Sequence, residues 1–109
     1  MLRRQGWQVE AVNSASAALD LMAEQDFYVV ISDLKMPDVD GIEFLSVVAR
    51  LYPKSLRVLL SGSDDAEQRR RAREEGNVRY LLGKPWNVDE LKSVTGRLLH
   101  EAEYMRMSL

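Results

Sequence analysis

Asp33, Ser61 and Lys84 are the residues whose types and places could do chemistry together. Asp33 closes the apolar run Val29-Val30-Ile31-Ser32, Ser61 closes Leu56–Leu60, and Lys84 follows Val78–Leu82. If these runs are parallel strands, their C-terminal ends share one edge of a sheet, where open α/β sheets bind ligands. A carboxylate, a hydroxyl and an ammonium suit phosphoryl transfer. The Asp can attack phosphorus as a covalent nucleophile. The Lys can neutralise phosphoryl oxygens as a point charge, and the Ser can hydrogen-bond one of them. Gly62 lets the backbone approach closely, and Pro85 helps hold the Lys loop.

The elements that must position these residues alternate in type. Trp7–Val12 alternates apolar and polar residues and reads as a half-buried strand. Asn13–Ser16 supplies turn and N-cap chemistry, and Ala15–Gln25 places Ala18, Leu19, Leu21 and Met22 at helical spacing. Phe27–Ile31 reads as a strand buried on both faces. Gly41–Leu51 repeats Ile42, Leu45, Val48 and Ala49 at helical spacing, and Tyr52-Pro53 stops it. Leu56–Leu60 is the next strand. The loop Ser61–Asp65 caps a helix to Glu75 that Gly76-Asn77 ends. Val78–Leu82 is a short strand, Asn87 is an N-cap, and Val88 to about Met105 is a long final helix. Strands alternating with helices imply a parallel sheet with right-handed crossovers.

A chain of 109 residues is one domain by size. With 46% hydrophobic and 29% charged residues it is an ordinary globular composition. The net charge of -2, with both signs spread along the chain, argues against direct nucleic-acid binding and against an anionic membrane. The chain has no Cys, which excludes disulfides and thiolate metal sites. No apolar run has bilayer length, and Met1–Trp7 lacks the apolar core of a signal peptide. A cytoplasmic setting is expected.

Three motifs carry a resemblance over nearly the whole chain. Asp33-Leu34-Lys35-Met36-Pro37-Asp38-Val39-Asp40-Gly41 resembles the phosphoacceptor loop of two-component response-regulator receiver domains. Leu59-Leu60-Ser61-Gly62 resembles that family's Ser/Thr switch strand, and Lys84-Pro85-Trp86 its Lys-Pro-aromatic loop. The resemblance implies a flavodoxin-like α/β domain with a mostly parallel sheet and helices on both faces. It implies that Asp33 accepts a phosphoryl group from a sensor histidine kinase with Mg²⁺ present, that Lys84 pairs with this group and that Ser61 reports it. Such a chain is a signalling module rather than an enzyme. From the family's Mg²⁺ ligands it retains Asp33 and the backbone carbonyl of Lys35.

The chain also departs from the family pattern. The family opens with a strand ending in an acidic pair and a first helix. Met1–Gly6 looks like the tail of that helix, so residues 1–109 are expected to form one receiver-like domain lacking the first strand, its acidic pair and most of the first helix. Weakened Mg²⁺ affinity follows, because Mg²⁺ wants near-octahedral oxygens with one or two carboxylates. The missing central strand would leave backbone edges unpaired. The neighbours then close up, pair with another copy as a homodimer or strand-swapped oligomer, or belong to a longer natural chain; an oligomer is the favoured outcome. The family often has Tyr or Phe three residues before the Lys. Leu81 stands there, and Tyr80 reaches that role only if the strand carries a bulge near Gly83.

Rival readings remain. A degenerate pseudo-receiver would be an interaction module that takes no phosphate. A haloacid-dehalogenase-type hydrolase needs an Asp two residues after the nucleophile, where Lys35 stands. Asp38 and Asp40 read as turn residues rather than metal ligands. Asp64 and Asp65 favour a helix N-terminus. Arg69–Arg71 and Arg73 read as a solvated face, His100 as an exposed helix residue, and Trp7 and Trp86 as packing residues. Leu91, Val94 and Leu98 form the core face of the final helix; Ala102, Met105 and Leu109 continue the spacing toward a possible coiled-coil-like arm.

Overall fold

The computed structural model describes residues 10–61, 66–83 and 88–107. The elements run α1 (Ala15–Glu24), β1 (Val29–Asp33), α2 (Gly41–Leu51), β2 (Leu56–Ser61), α3 (Ala66–Glu74), β3 (Tyr80–Gly83) and α4 (Val88–Met107). The three strands form a parallel sheet in the order β1-β2-β3. Val29 pairs with Leu56 and Asp33 with Leu60; Val58 pairs with Tyr80 and Ser61 with Gly83.

Period-two alternation divides the core into two layers. On one face Leu59 packs with Val30, Leu81 and the apolar stripes of α1 and α2, among them Met22, Ile42, Leu45 and Val48; Ala72 of α3 joins them. On the other face Leu56, Val58, Leu60 and Leu82 meet Val94, Leu98 and Ala102 of α4. Helices therefore cover both faces of an α/β sheet, as the alternating elements predict. Leu45, Val48 and Val58 are fully buried, each contributing about 1.5–3 kcal/mol.

The helices begin and end by identifiable means. Ser14 caps α1, its hydroxyl accepting from the Ala17 N–H. Asp40 caps α2, its carboxylate accepting from the Glu43 N–H at 2.8 Å. After α3, Asn77 takes a left-handed φ of 50°, which Asn tolerates better than most residues. That bend returns the Val78 N–H to the Ala72 carbonyl at 3.0 Å and turns the chain into β3.

Some sequence expectations change. Trp7–Val9 lie outside the described residues, and Glu10–Val12 are not in a strand, because they have no ladder partner among the described residues; Val12 is 45% exposed. The strand predicted as buried on both faces is only half-buried from Val29 to Ile31, because β1 sits at the edge of the described sheet while β2 holds its centre. The buried face of α4 runs one turn past Leu98, since Ala102 is fully buried against the sheet rather than on a projecting arm. The side chains of Met105 and Leu109 lie outside the described residues, as do Trp86, Asn87, Asp64 and Asp65. The basic run on α3 is solvated, as expected, at Arg70 and Arg73, and Arg70 is bracketed by Glu67, Glu74 and Glu75; Arg69 and Arg71 are half-buried, with Arg71 turned to Asp40. His100 is exposed.

Candidate functional site

Asp33 is the last residue of β1, and the chain leaves the sheet immediately after it. The ladder extends one further bond, from the Leu34 N–H to the Leu60 carbonyl at 3.1 Å. The Asp33 backbone is fixed from two sides. The buried Ser32 hydroxyl donates to the Asp33 carbonyl oxygen at 2.8 Å. Across from it, α2 begins so close that a β-carbon on Gly41 would lie inside 3.0 Å of the same oxygen. The Gly41 N–H donates to the Leu34 carbonyl at 2.6 Å, which holds that approach. Glycine is required here for proximity rather than for its backbone freedom.

The segment from Leu34 to Asp40 has no regular structure, and its two other carboxylates anchor it. Asp38 reaches back more than twenty residues to the first turn of α1. Its Oδ1 accepts from the Ala15 N–H at 3.2 Å and its Oδ2 from the Ser16 N–H at 3.0 Å, while Oδ1 also accepts from its neighbour Val39 at 3.0 Å. Those N–H groups, Ser16 first, hold the Asp38 carboxyl below its ordinary value, because they bind the charged form. Asp40 caps α2 and also meets the Arg71 guanidinium of α3 at 3.4 Å. Leu34, Lys35, Met36, Asp40, Gln68 and Arg71 line an open cavity of about 430 Å³ beside this segment.

Ser61 closes β2, is buried, and lies one register step beyond the residue paired with Asp33. Gly83 pairs with Ser61 at the end of β3. Asp33 and Ser61 therefore end adjacent strands at the same edge of the sheet, with strands spaced about 5 Å apart. Lys84 lies outside the described residues, directly after Gly83; Gly62 and Pro85 lie outside them as well. Lys35 is exposed in the loop after Asp33.

Among the described residues, no bulge re-aims Tyr80. Pairing is regular from Val58–Tyr80 through Ser61–Gly83. Tyr80 accordingly packs on the α4 side, with Arg97 over its ring at 5.9 Å, whereas Leu81 faces the α1–α2 side with Leu59. A one-residue offset puts the aromatic on the wrong side of the sheet.

Sequence reasoning missed the roles of Ser32, Asp38 and Arg71. A single Ser inside an apolar run was the available signal for Ser32. Nothing local signals Asp38, since its partners are N–H groups 22 and 23 positions away.

With this geometry in place, comparison with known proteins is decisive. The model of the response regulator receiver domain matches residues 1–95. The chain belongs to this family. Among relatives of the receiver, the hydrogenase transcriptional regulatory protein HoxA of Cupriavidus necator is 33% identical over 85 residues, covering 78% of this chain and 18% of that protein. The two-component response regulator ARR10 of Arabidopsis thaliana is 31% identical over 105 residues, covering 94% of this chain and 19% of that protein. The chain thus spans about a fifth of the length of these curated relatives. Among solved structures, the signal receiver domain of an HD domain-containing protein from Pseudomonas fluorescens Pf-5 superposes with a TM-score of 0.89 at 30% identity, over 94% of this chain and 76% of that one. A CheY-like receiver domain protein from Methanospirillum hungatei JF-1 gives 0.87 at 25% identity, over 95% and 82%. The receiver fold expected from the three motifs is the fold observed.

Proposed function

We propose that this receiver, residues 1–109 acting as one unit, relays a signal by taking a phosphoryl group onto Asp33 from the phosphohistidine of a sensor histidine kinase. An Asp33 carboxylate oxygen attacks phosphorus, the phosphorus–nitrogen bond breaks, and its electron pair leaves with the imidazole, which keeps or takes up a proton. The product is an acyl phosphate on Asp33. Lys84 neutralises the arriving phosphoryl oxygens, and Ser61 donates a hydrogen bond to one of them. The observation that carries this reading is the placement of Asp33 at a strand end beside the end of the Ser61 strand, with its own backbone carbonyl held between Ser32 and Gly41.

Mg²⁺ would be held by Asp33 and the backbone carbonyl of Lys35, with water and phosphoryl oxygens completing its shell. Asp38 and Asp40 are committed to the helix caps, and no group of three His, Asp or Glu side chains that could hold a metal occurs among the described residues. The donor set suits a weakly bound ion. Once bound, such an ion supplies positive charge to the transferring oxygens.

The reading places the chain in the cytoplasm with the kinase as its partner; no described helix is long and apolar enough to cross a membrane. Incubation with acetyl phosphate and Mg²⁺ followed by intact-mass measurement tests it. Addition of one phosphoryl mass, abolished by Asp33→Asn, is expected. An unchanged mass, alongside a receiver that does label, favours the pure interaction module instead.

A further inference from the structure

We propose that Asp38 is a positioning residue for Asp33, acting through the first turn of α1. The inference rests on the reading of Asp33 as the acceptor. The chain between Lys35 and Val39 has no ladder of its own. Among the described residues, the hydrogen bonds tying it to a helix all run through the Asp38 carboxylate, to Ala15 and Ser16; the remaining tie is a weak 3.7 Å contact from the Ser32 hydroxyl to Met36 Sδ.

The helix gains from the same bonds. The first N–H groups of a helix lack intrahelical partners. In α1, Asp38 accepts from those of Ala15 and Ser16, and Ser14 from that of Ala17. Most helices take such acceptors from adjacent residues, yet here two of the three come from the loop that follows the acceptor. The start of α1 and the acceptor loop are therefore one mechanical unit. Lys35, whose carbonyl would be a Mg²⁺ ligand in the proposed site, lies only three residues before Asp38. Releasing Asp38 frees that segment while leaving intact the strand-end bonds of Asp33 and the cap of α2.

The test compares Asp38→Ala, Asp38→Asn and Ser14→Ala in the whole chain. Ser14→Ala removes an α1 cap without touching the loop, and so controls for helix fraying alone. Two readouts are taken: amide hydrogen exchange at Leu34–Val39 and at Ala15–Ala17, and the rate of phosphoryl uptake from acetyl phosphate. Ser14→Ala is expected to speed exchange in α1 only and to leave uptake unchanged. Asp38→Ala is expected to speed exchange in both segments several-fold and to slow uptake by about tenfold, short of the roughly hundredfold cost of a reacting group misplaced by about 1 Å. Asp38→Asn, which keeps one acceptor oxygen, falls between them. Loop exchange and uptake in Asp38→Ala that match Ser14→Ala overturn the proposal. If the unaltered chain takes up no phosphoryl group, the acceptor reading of Asp33 fails, and a loop whose exchange is unmoved by Asp38→Ala overturns the coupling on its own.

Discussion

Replacing Gly41 with Ala tests how closely α2 is built against Asp33. Gly41 is the first residue of α2 and is buried, and its φ is not in the left-handed region, so an L-residue could adopt its backbone. Helix propensity alone favours Ala, by up to about 1 kcal/mol in a helix interior and less at the first position. Space argues the other way. The added carbon would lie inside 3.0 Å of the Asp33 carbonyl oxygen and 3.0 Å from both the Asp33 carbonyl carbon and Leu59 Cδ1. Leu59 is 1% exposed and cannot swing aside. Relief therefore requires a backbone to move. Shifting α2 stretches the Gly41–Leu34 bond and the Asp40 cap; shifting Asp33 breaks its bond from the Ser32 hydroxyl. Overpacking of this kind costs about 1–3 kcal/mol. Set against the propensity gain, Gly41→Ala should lose about 1–2 kcal/mol in urea unfolding with an unchanged m-value. The thermal midpoint falls by about 4–8 °C per kcal/mol. Because the displaced atom belongs to Asp33, phosphoryl uptake should fall by more than the unfolded fraction explains. A midpoint equal to or above that of the parent chain would falsify the steric argument.

Other expectations follow from the caps and bends. Asp40→Ala should lose about 1 kcal/mol, the value of an N-cap, whereas Arg71→Ala should lose less than about 0.5 kcal/mol because the ion pair is long and still partly open to solvent; equal losses in urea unfolding would contradict that division. Asn77→Gly should be neutral or gain up to about 1 kcal/mol, and Asn77→Val should lose stability, because only the left-handed φ of 50° separates them; thermal melts of the pair check this. Asp38 has a folded carboxyl value below its ordinary 3.8. Its contribution is thus complete above that value and is lost as pH falls through the lower folded value. The difference in urea midpoint between the parent chain and Asp38→Asn should vanish in that acid window, and a difference that persists at the lowest pH would refute the linkage. Pairing of two copies through the β1 edge predicts a light-scattering mass of twice 12.5 kDa; a mass of 12.5 kDa would refute it.

Much of this architecture is legible from local pattern, and the reasons are specific. The 3.6-residue stripe of Ile42, Leu45 and Val48 leaves α2 one way to lie on the sheet, and the helix is found there with all of these buried. Leu56–Leu60 alternates nothing on its surface because both faces are covered, and β2 is indeed the central strand. The strand-end places of Asp33 and Ser61 were readable because each closes an apolar run, and both do end adjacent strands. Burial of Val29–Val30–Ile31 was overstated for the opposite reason: hydrophobicity reports that a strand can be covered, not what covers it. Asp38 and Asp40 were readable as turn residues, but the α1 partners of Asp38 and the Arg71 partner of Asp40 were not, because bonds across 22 to 31 positions depend on where packing carries the helices.

The strand that ends at Gly83 shows where pattern and register part company, and it bears on how this receiver would signal. Sequence alone leaves Tyr80 two possible sides, depending on a bulge that composition near a Gly permits. The regular ladder resolves the choice: Leu81 pairs with Leu59 on the α1–α2 side, and Tyr80 stacks under Arg97 on the α4 side. An aromatic that moves in step with Ser61 would have to share its side of the sheet, which Leu81 does and Tyr80 does not. On the side of the sheet that Ser61 shares, its neighbour on β3 is therefore an aliphatic side chain with no hydroxyl to exchange. Among the described residues, polar couplings leave the Leu34–Asp40 segment through Asp38 to α1 and through Asp40 and Arg71 to α3. If Asp33 is the acceptor, those helices are where its state should be read, so phosphoryl uptake should alter amide exchange at Ala15–Ala17 and around Arg71 more than at Tyr80. A response confined to Tyr80 and the α4 face would contradict that route.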